Sequence, residues 1–530
     1  MKFLISAVPK LSYLICSIVL LAFAWHSHDL LLMLIAAALV LSIPLFKLNS
    51  SFKKQGKKKA AILQYQLSDQ QLTQARILAD PLADNTIQSL LGDWPQAAEN
   101  VSYSPLEHSV QWQTIASINR QFDEWKTNAD IALWPAGTAR PESAIEQHLQ
   151  AYLQAGLALP DWAEPAKIER AETLFMEYGA LSCSLLFCSS LPECYVLPDL
   201  SAVLHAAGQL EQHTDHRIRS TAAMIFPVMM RGGLCQADGS GVAQILKVRL
   251  IHATIRNLIL RGSPEHAMDH FNQHIQPLAL NNSANLFHTL FAHGWNLERA
   301  GLPCNQTELA YTLLTFGYVF LRSMRKLGLG LASEDELAFL HLWNVVGHIL
   351  GIRRELMADT MQQAEVLFQQ MQALPSSEQI SPDPRPRLGQ ALMQSMEQVI
   401  PFPLFKAFPV LMTRYLCGTS NAKKIGVNQR VSWLSHKLFI LLMLLVRGID
   451  TFVRYFSPEF SISRLITRVL GYHFMSKILL DQTRPLKLPE QLLNQVNQTI
   501  GTWSTDHKSA PWMNALEKKM TTTGSWNQAD

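Results

Sequence analysis

The sequence predicts an all-α protein: a large helical bundle preceded by a hydrophobic anchor. Three observations carry that prediction. Apolar residues recur at helical spacing through Arg170–Leu186, Ser240–Leu260, Glu308–Lys326, Glu334–Leu350 and Met357–Met371. No series of alternating Val, Ile and Thr strands punctuated by turn residues occurs, which argues against a sizeable sheet. Two strongly apolar runs, Leu11–Ala24 and Leu30–Phe46, stand at the N-terminus. Three regions follow: an anchor with a lysine-rich juxtamembrane segment (1–59), a helical body (60–430) and a C-terminal helical extension (431–530).

Each apolar run is a little shorter than the roughly 20 residues that a bilayer span needs, so each must borrow from its flanks. Lys2 and Lys10 precede the first run, and Lys53, Lys54, Lys57, Lys58 and Lys59 follow the second. Positive charge on both outer flanks and none in the tip predicts a transmembrane hairpin with both ends, and the body, on the cytoplasmic side. If instead the first run is a signal-peptide core cut at Ala22-Phe23-Ala24, the second remains as a single anchor with the same orientation. In the body, breaks are expected at Pro135–Pro141, Arg231-Gly232-Gly233, Ala237–Gly241, Pro264 and Pro375–Pro386. Leu438–Val446, nine apolar residues between Lys437 and Arg447, reads as a buried helix, with a second interfacial contact as the other option.

Composition narrows the function. Charged residues make up 16% and hydrophobic ones 48%, which excludes a disordered chain and suits membrane contact. A net charge of +3, with no basic stripe interleaved with aromatics, argues against nucleic acid as a partner. The seven cysteines form no C-x-x-C pair and read as reduced, buried thiols. Glu-x-x-His, G-x-S-x-G, P-loop and H-E-x-x-H patterns are all missing, so di-iron bundles, serine hydrolases, nucleotide phosphatases and zincins find no support.

The most informative stretch is Lys247-Val248-Arg249-Leu250-Ile251-His252-Ala253-Thr254-Ile255-Arg256. Arg249 at i−3 and Arg256 at i+4 share a helix face with His252 on an otherwise apolar segment. Such groups are costly to bury unless an anion or a metal neutralises them. Haem does both: its iron takes a neutral imidazole, and its propionates take guanidinium partners. The competing reading is a core histidine satisfied by its neighbours. Upstream, Arg217 and Thr221 lie at i and i+4, an arginine and a hydroxyl able to hydrogen-bond dioxygen or an oxyanion above a metal. The competing reading there is an exposed arginine beside a helical threonine. His266, His270 and His274 fall at i, i+4 and i+8, a possible divalent site or a chance cluster on a solvated helix start.

Taken in order, several segments resemble the haem-dependent oxygenase family that contains the latex-clearing proteins and the MpaB-type mycophenolic-acid oxygenase. They are Asp80-Pro81-Leu82-Ala83-Asp84, Leu159-Pro160-Asp161-Trp162, Leu174–Gly179, the 217–221 segment, the His252 helix, Gly301-Leu302-Pro303-Cys304-Asn305-Gln306, Thr312–Phe316, Trp343–Gly351, and Thr413–Gly418 with Ala422 and Ile425-Gly426. The resemblance implies an all-helical fold binding one haem b, with His252 as the iron ligand and Arg217 and Thr221 on the distal side. It implies dioxygen as oxidant and an apolar, isoprenoid- or lipid-like olefin as substrate. Two departures stand out. Ser220 occupies the position of a lysine that caps the iron in latex-clearing proteins, and only Asp199 is available where the family has a proposed glutamate base. Gly262–Gly294 reads as an insertion, and the hydrophobic hairpin favours the mycophenolate-type, lipid-facing branch. Arg249 or Arg256 is the expected propionate partner, with pairing of one of them to a carboxylate elsewhere as the other option, and His348 is the second choice for the iron ligand. The alternatives are a helical membrane scaffold without turnover and a haem peroxygenase that uses peroxide.

Overall fold

The computed structural model describes residues 66–94, 110–135, 142–206, 214–269, 271, 274–278, 286–374, 383–400 and 403–456. The predicted transmembrane hairpin and most of the C-terminal extension lie outside the described residues. Among the described residues no single helix is long and apolar enough to cross a membrane.

The body is helical, as the periodicity predicts. Its main elements are α1 (Asp69–Ala75), α2 (Pro81–Leu91), α3 (Val110–Gln121), α4 (Ser143–Gly156), α5 (Pro165–Glu177), α6 (Gly179–Leu185), α7 (Leu191–Cys194), α8 (Pro198–Ala206), α9 (Thr214–Met229) and α10 (Gly241–Leu260). They continue with α11 (Gln306–Phe316), α12 (Tyr318–Lys326), α13 (Ser333–Ile349), α14 (Met361–Ala373), α15 (Arg385–Val399), α16 (Phe408–Cys417) and α17 (Trp433–Phe456). The sheet content among the described residues is one antiparallel pair, His274–Ile275 with Trp295–Asn296.

Two stretches read as single helices prove to be broken. Arg170–Leu186 divides at Tyr178, where the chain bends by 90° between α5 and the following helical run. Glu308–Lys326 divides at Gly317, whose Cα packs so closely on the Trp343 side chain that an added Cβ would lie 3.4 Å from it. The 186–190 segment between α6 and α7 is a π-helical turn. The Cys417 thiol of α16 faces its Cys188 and Ser189 carbonyls at 3.7 and 3.6 Å.

Helix α10 is the central element, packed on α2, α9 and α13. Its N-terminus is set by a glycine-dependent turn. Gly232 adopts φ +76°, and its N–H donates to the buried Glu172 carboxylate at 2.8 Å. Asn128 ties the same turn together, its amide donating to the Gly233 and Gln236 carbonyls at 2.9 and 2.8 Å. The short connection folds α10 back along α9. A second tie is Glu193, fully buried, which accepts from Arg322 of α12 at 2.5 Å, Gln372 of α14 at 3.1 Å and Asn421 at 2.9 Å.

Candidate functional site: the His252 helix

Two faces of α10 have different fates. One carries Arg249, Arg256 and Asn257 toward α2, where Asp80, Asp84 and Gln88 stand one turn apart from each other. Arg249 grips Asp80 with two donors, at 2.5 and 2.6 Å, and gives its third to the Ile349 carbonyl at 2.9 Å. Arg256 donates to Asp84 at 2.9 Å and to the Pro303 and Cys304 carbonyls at 3.0 and 2.7 Å. Asn257 completes the row, accepting from Trp94 at 2.8 Å and donating to Gln88 at 3.0 Å. Burial pushes the Asp84 carboxyl up, against the pull of the Arg256 guanidinium.

This corrects the expectation for Arg249 and Arg256. The anion that neutralises each is an aspartate of the same chain, so neither is a free guanidinium awaiting a propionate. Spacing alone does not announce the pairing, since Asp80 and Asp84 stand one turn apart and Arg249 and Arg256 two. Two other segments of the resemblance serve the same structure. Gly351, at φ +82°, lets the chain pass against the Asp80–Arg249 pair, where an added Cβ would meet Asp80 Cγ at 2.7 Å. Gln306 donates to the Ala79 and Gly351 carbonyls at 3.0 and 2.8 Å.

The other face of α10 (Gln244, Lys247, Val248, Ile251, His252 and Ile255) keeps accessible surface along a helix that is otherwise buried, and Ile251 is 40% exposed. His252 sits at the margin between the two faces, half-buried, with Nδ1 buried and without a hydrogen-bond partner. Burial first, and then the Arg256 charge, push its pKa down to about 4, although Asp80 pulls the other way. The ring is therefore neutral at physiological pH and uncommitted. A satisfied core histidine would spend at least one nitrogen on a neighbour, and this one does not. A neutral imidazole with accessible surface on an apolar face fits the requirement for an axial haem ligand.

The distal candidates lie on α9. Thr221 is half-buried, eight residues before the end of α9 at Met229, and His252 is eleven residues into α10 from Gly241. At about 1.5 Å per residue those positions are roughly 12 and 16 Å from the connecting turn, so they stand at similar heights in the hairpin. Arg217 and Ser220 belong to the first turns of α9, and their side chains lie outside the described residues. His348, the second choice for the ligand, is exposed on α13 with its ring edge-on to Trp162 at 6.0 Å. Asp199, on α8, is paired with Arg76 at 3.1 Å.

The histidine cluster at 266–274 does not share one helical face. The helix that starts at Pro264 ends at Asp269, and His274 enters the short strand, 3.2 Å from the Asn296 amide. His270 lies outside the described residues. Among the described residues no group of three His, Cys, Asp or Glu side chains is arranged to hold a metal ion.

The fold and site thus define a helical protein that offers one free, neutral imidazole from its central helix. Residues 195–448 match the family model described as ER-bound oxygenase mpaB/B′/Rubber oxygenase, catalytic domain. Over those residues the chain is similar to this oxygenase family, in line with the resemblance its segments carry. It is 22% identical to the Rubber oxygenase of Streptomyces sp. (strain K30) over 283 residues, 52% of this chain and 58% of that relative. The chain thus spans less than two thirds of the curated relative it matches. The fold is similar to that of latex clearing protein LCP in its closed state, with a TM-score of 0.51 at 14% identity, covering 82% of this chain and 91% of that one.

Proposed function

We propose that the chain is a membrane-anchored, haem b-dependent oxygenase that uses dioxygen on an apolar olefin of isoprenoid or lipid-like character. The observation that carries the reading is His252: a half-buried imidazole, neutral at working pH, with Nδ1 unpartnered, at the centre of a domain matched to an oxygenase family. A haem held there supplies the redox chemistry on dioxygen. The protein contributes position and electrostatics. His252 is the ligand, and the ion pairs on either side of it fix the helix that presents it. The Arg217 guanidinium and the Thr221 hydroxyl donate hydrogen bonds where negative charge develops on the reacting oxygen atoms. Ser220, standing where latex-clearing proteins have a lysine, would offer no lysine to cap an iron held there. The apolar residues of the open face of α10 exclude water and receive the olefin. The N-terminal hydrophobic runs hold the body at the cytoplasmic face of a membrane in which such a substrate dissolves.

The test is a pyridine-haemochrome assay on the purified full chain, with His252→Ala beside it. The expected result is one haem b per chain and a Soret band that the variant loses while keeping its helical circular dichroism. A colourless, folded protein would overturn the haem assignment in favour of the scaffold reading. Carbonyl products formed from an isoprenoid olefin with dioxygen support the oxygenase reading, and turnover that requires peroxide and ignores dioxygen refutes it.

A further inference from the structure

The start of α17 corrects one expectation. Leu438–Val446 reads first as a buried helix, with an interfacial contact as the other option, and Ile440 and Leu441 are exposed, by 39% and 45%. Phe439 is the buried anchor of this turn, edge-on to Phe408 at 5.5 Å. Ser435 fixes the approach to the preceding loop, donating to the Leu404 carbonyl at 3.1 Å. Beside these, Trp433 is 72% exposed, and Leu434 and Leu404 are also open to solvent. Trp433, Leu434, Ile440 and Leu441, at i, i+1, i+7 and i+8, share one side of the helix, so they are not an ordinary scatter of surface residues.

Its charge is one-sided. From Gln398 to Ile449 the sequence has seven lysines and arginines and no acidic residue. Lys406, Lys423, Lys424, Arg430 and Lys437 in this stretch are all exposed. The Lys437 ammonium lies 5.8 Å from the centre of the Trp433 ring, so a cation and an amphipathic aromatic are presented together. Exposed leucines and isoleucine, an edge tryptophan and a lysine fringe are the components of a helix that lies in the headgroup region of an anionic bilayer. A protein partner offering only apolar contact would leave the uniform positive charge unanswered.

We propose that the 403–406 loop and the first three turns of α17 form a docking face for an anionic membrane surface, with Leu404, Trp433, Leu434, Ile440 and Leu441 inserted among headgroups and acyl chains. This contact is separate from any N-terminal anchor. It fixes how the body is oriented on the bilayer, and it puts the body's apolar flank against the phase that holds an apolar substrate.

The test uses the full chain with Cys16 and Cys235 replaced by serine and a single environment-sensitive fluorophore on Leu441→Cys. A label on Val110→Cys, on the exposed surface of α3, is the control. The protein is reconstituted into vesicles of phosphatidylcholine, or of equal parts phosphatidylcholine and phosphatidylglycerol, each with and without doxyl-labelled lipid. The expected result is a blue-shifted Leu441 label quenched by doxyl lipid, more strongly in the anionic vesicles, and less so when Lys406→Glu and Lys437→Glu are added. The Val110 label stays aqueous. Flotation reports the N-terminal anchor independently, so chains that float while the Leu441 label remains aqueous overturn the docking face and leave the anchor standing. A label that is shielded without doxyl quenching also overturns it. If that shielding rises with protein concentration, the face belongs to a second copy, and if it does not, to another segment of this chain.

Discussion

Removing one carboxylate beneath the His252 helix tests the core of the structural argument. Arg256 has essentially no exposed surface, and the Asp84 side chain facing it is 3% exposed. Asp84→Leu leaves a guanidinium that cannot reach water, with only the Pro303 and Cys304 carbonyls as partners and Nη2 already without one. Breaking a buried pair from one side costs about 3–5 kcal/mol, because the surviving charge stays desolvated. Removing both charges with apolar residues of similar volume, Asp84→Leu with Arg256→Met, is expected to recover most of that loss. The exposed pair Arg353–Glu355, 3.8 Å apart with side chains about half exposed, is the control, and Glu355→Ala is expected to cost about 0–1 kcal/mol. The assay is urea unfolding followed by far-ultraviolet circular dichroism, with midpoints compared at equal slope. If Asp84→Leu falls in the range of the Glu355 control, or if the double variant is no more stable than the single, the account of α2 and α10 as a buried ionic clamp is wrong.

Three further outcomes follow from individual residues. Burial first, and Asp199 second, push Glu308 up to about 8, so the folded chain holds a proton there that the unfolded chain releases near 4.5. That contribution is complete below pH 4.5 and is lost as pH rises through 8, so Glu308→Gln should gain stability on the parent across this window, measured as urea midpoint against pH. His252 has the opposite slope without haem: its pKa falls from 6.5 to about 4, so stability is full above pH 6.5 and declines by up to about 3 kcal/mol on acidification to pH 4. His252→Gln should flatten that part of the profile, and an unchanged slope would place the ring elsewhere. Gly351→Ala should destabilise more than Gly418→Ala. Both have positive φ, +82° and +88°, but only the first Cβ meets a neighbour, whereas nothing lies within 4 Å of the second. Equal thermal shifts would show that backbone strain alone, and not contact with the ion pair, sets the cost.

Local pattern made α10 legible, since its apolar periodicity runs cleanly from the glycine turn to Leu260, and the helix was placed within a residue of its observed start. The same pattern misread α5–α6 and α11–α12 as continuous, because a break at Tyr178 or Gly317 changes the direction of the chain without interrupting the apolar spacing. Partners were harder. Arg249 and Arg256 find Asp80 and Asp84 across 169 and 172 residues, and no local window relates the two segments. Periodicity also says which face of a helix is apolar, not whether anything covers it, which is why Leu438–Val446 reads as either a buried helix or an interfacial one. The histidines at 266–274 failed for a related reason: helical spacing has meaning only where the helix continues, and it stops at Asp269.

The ionic clamp and the free imidazole are parts of one arrangement. Arg249 and Arg256 flank His252 one turn away on either side, and each is fixed by a carboxylate and by backbone carbonyls outside the helix. At 3.6 residues per turn, His252 projects about 60° from Arg249 and about 40° from Arg256. The ring therefore leaves the helix at its best-anchored level, and its Nδ1 reaches neither carboxylate. Had either aspartate reached Nδ1, the imidazole would be hydrogen-bonded and more basic. With both aspartates occupied by guanidinium groups, and the Arg256 charge nearby disfavouring a second cation, the ring stays neutral. The residues expected to hold the propionates thus serve the proposed ligand by another route: they set the position of its helix and its protonation state.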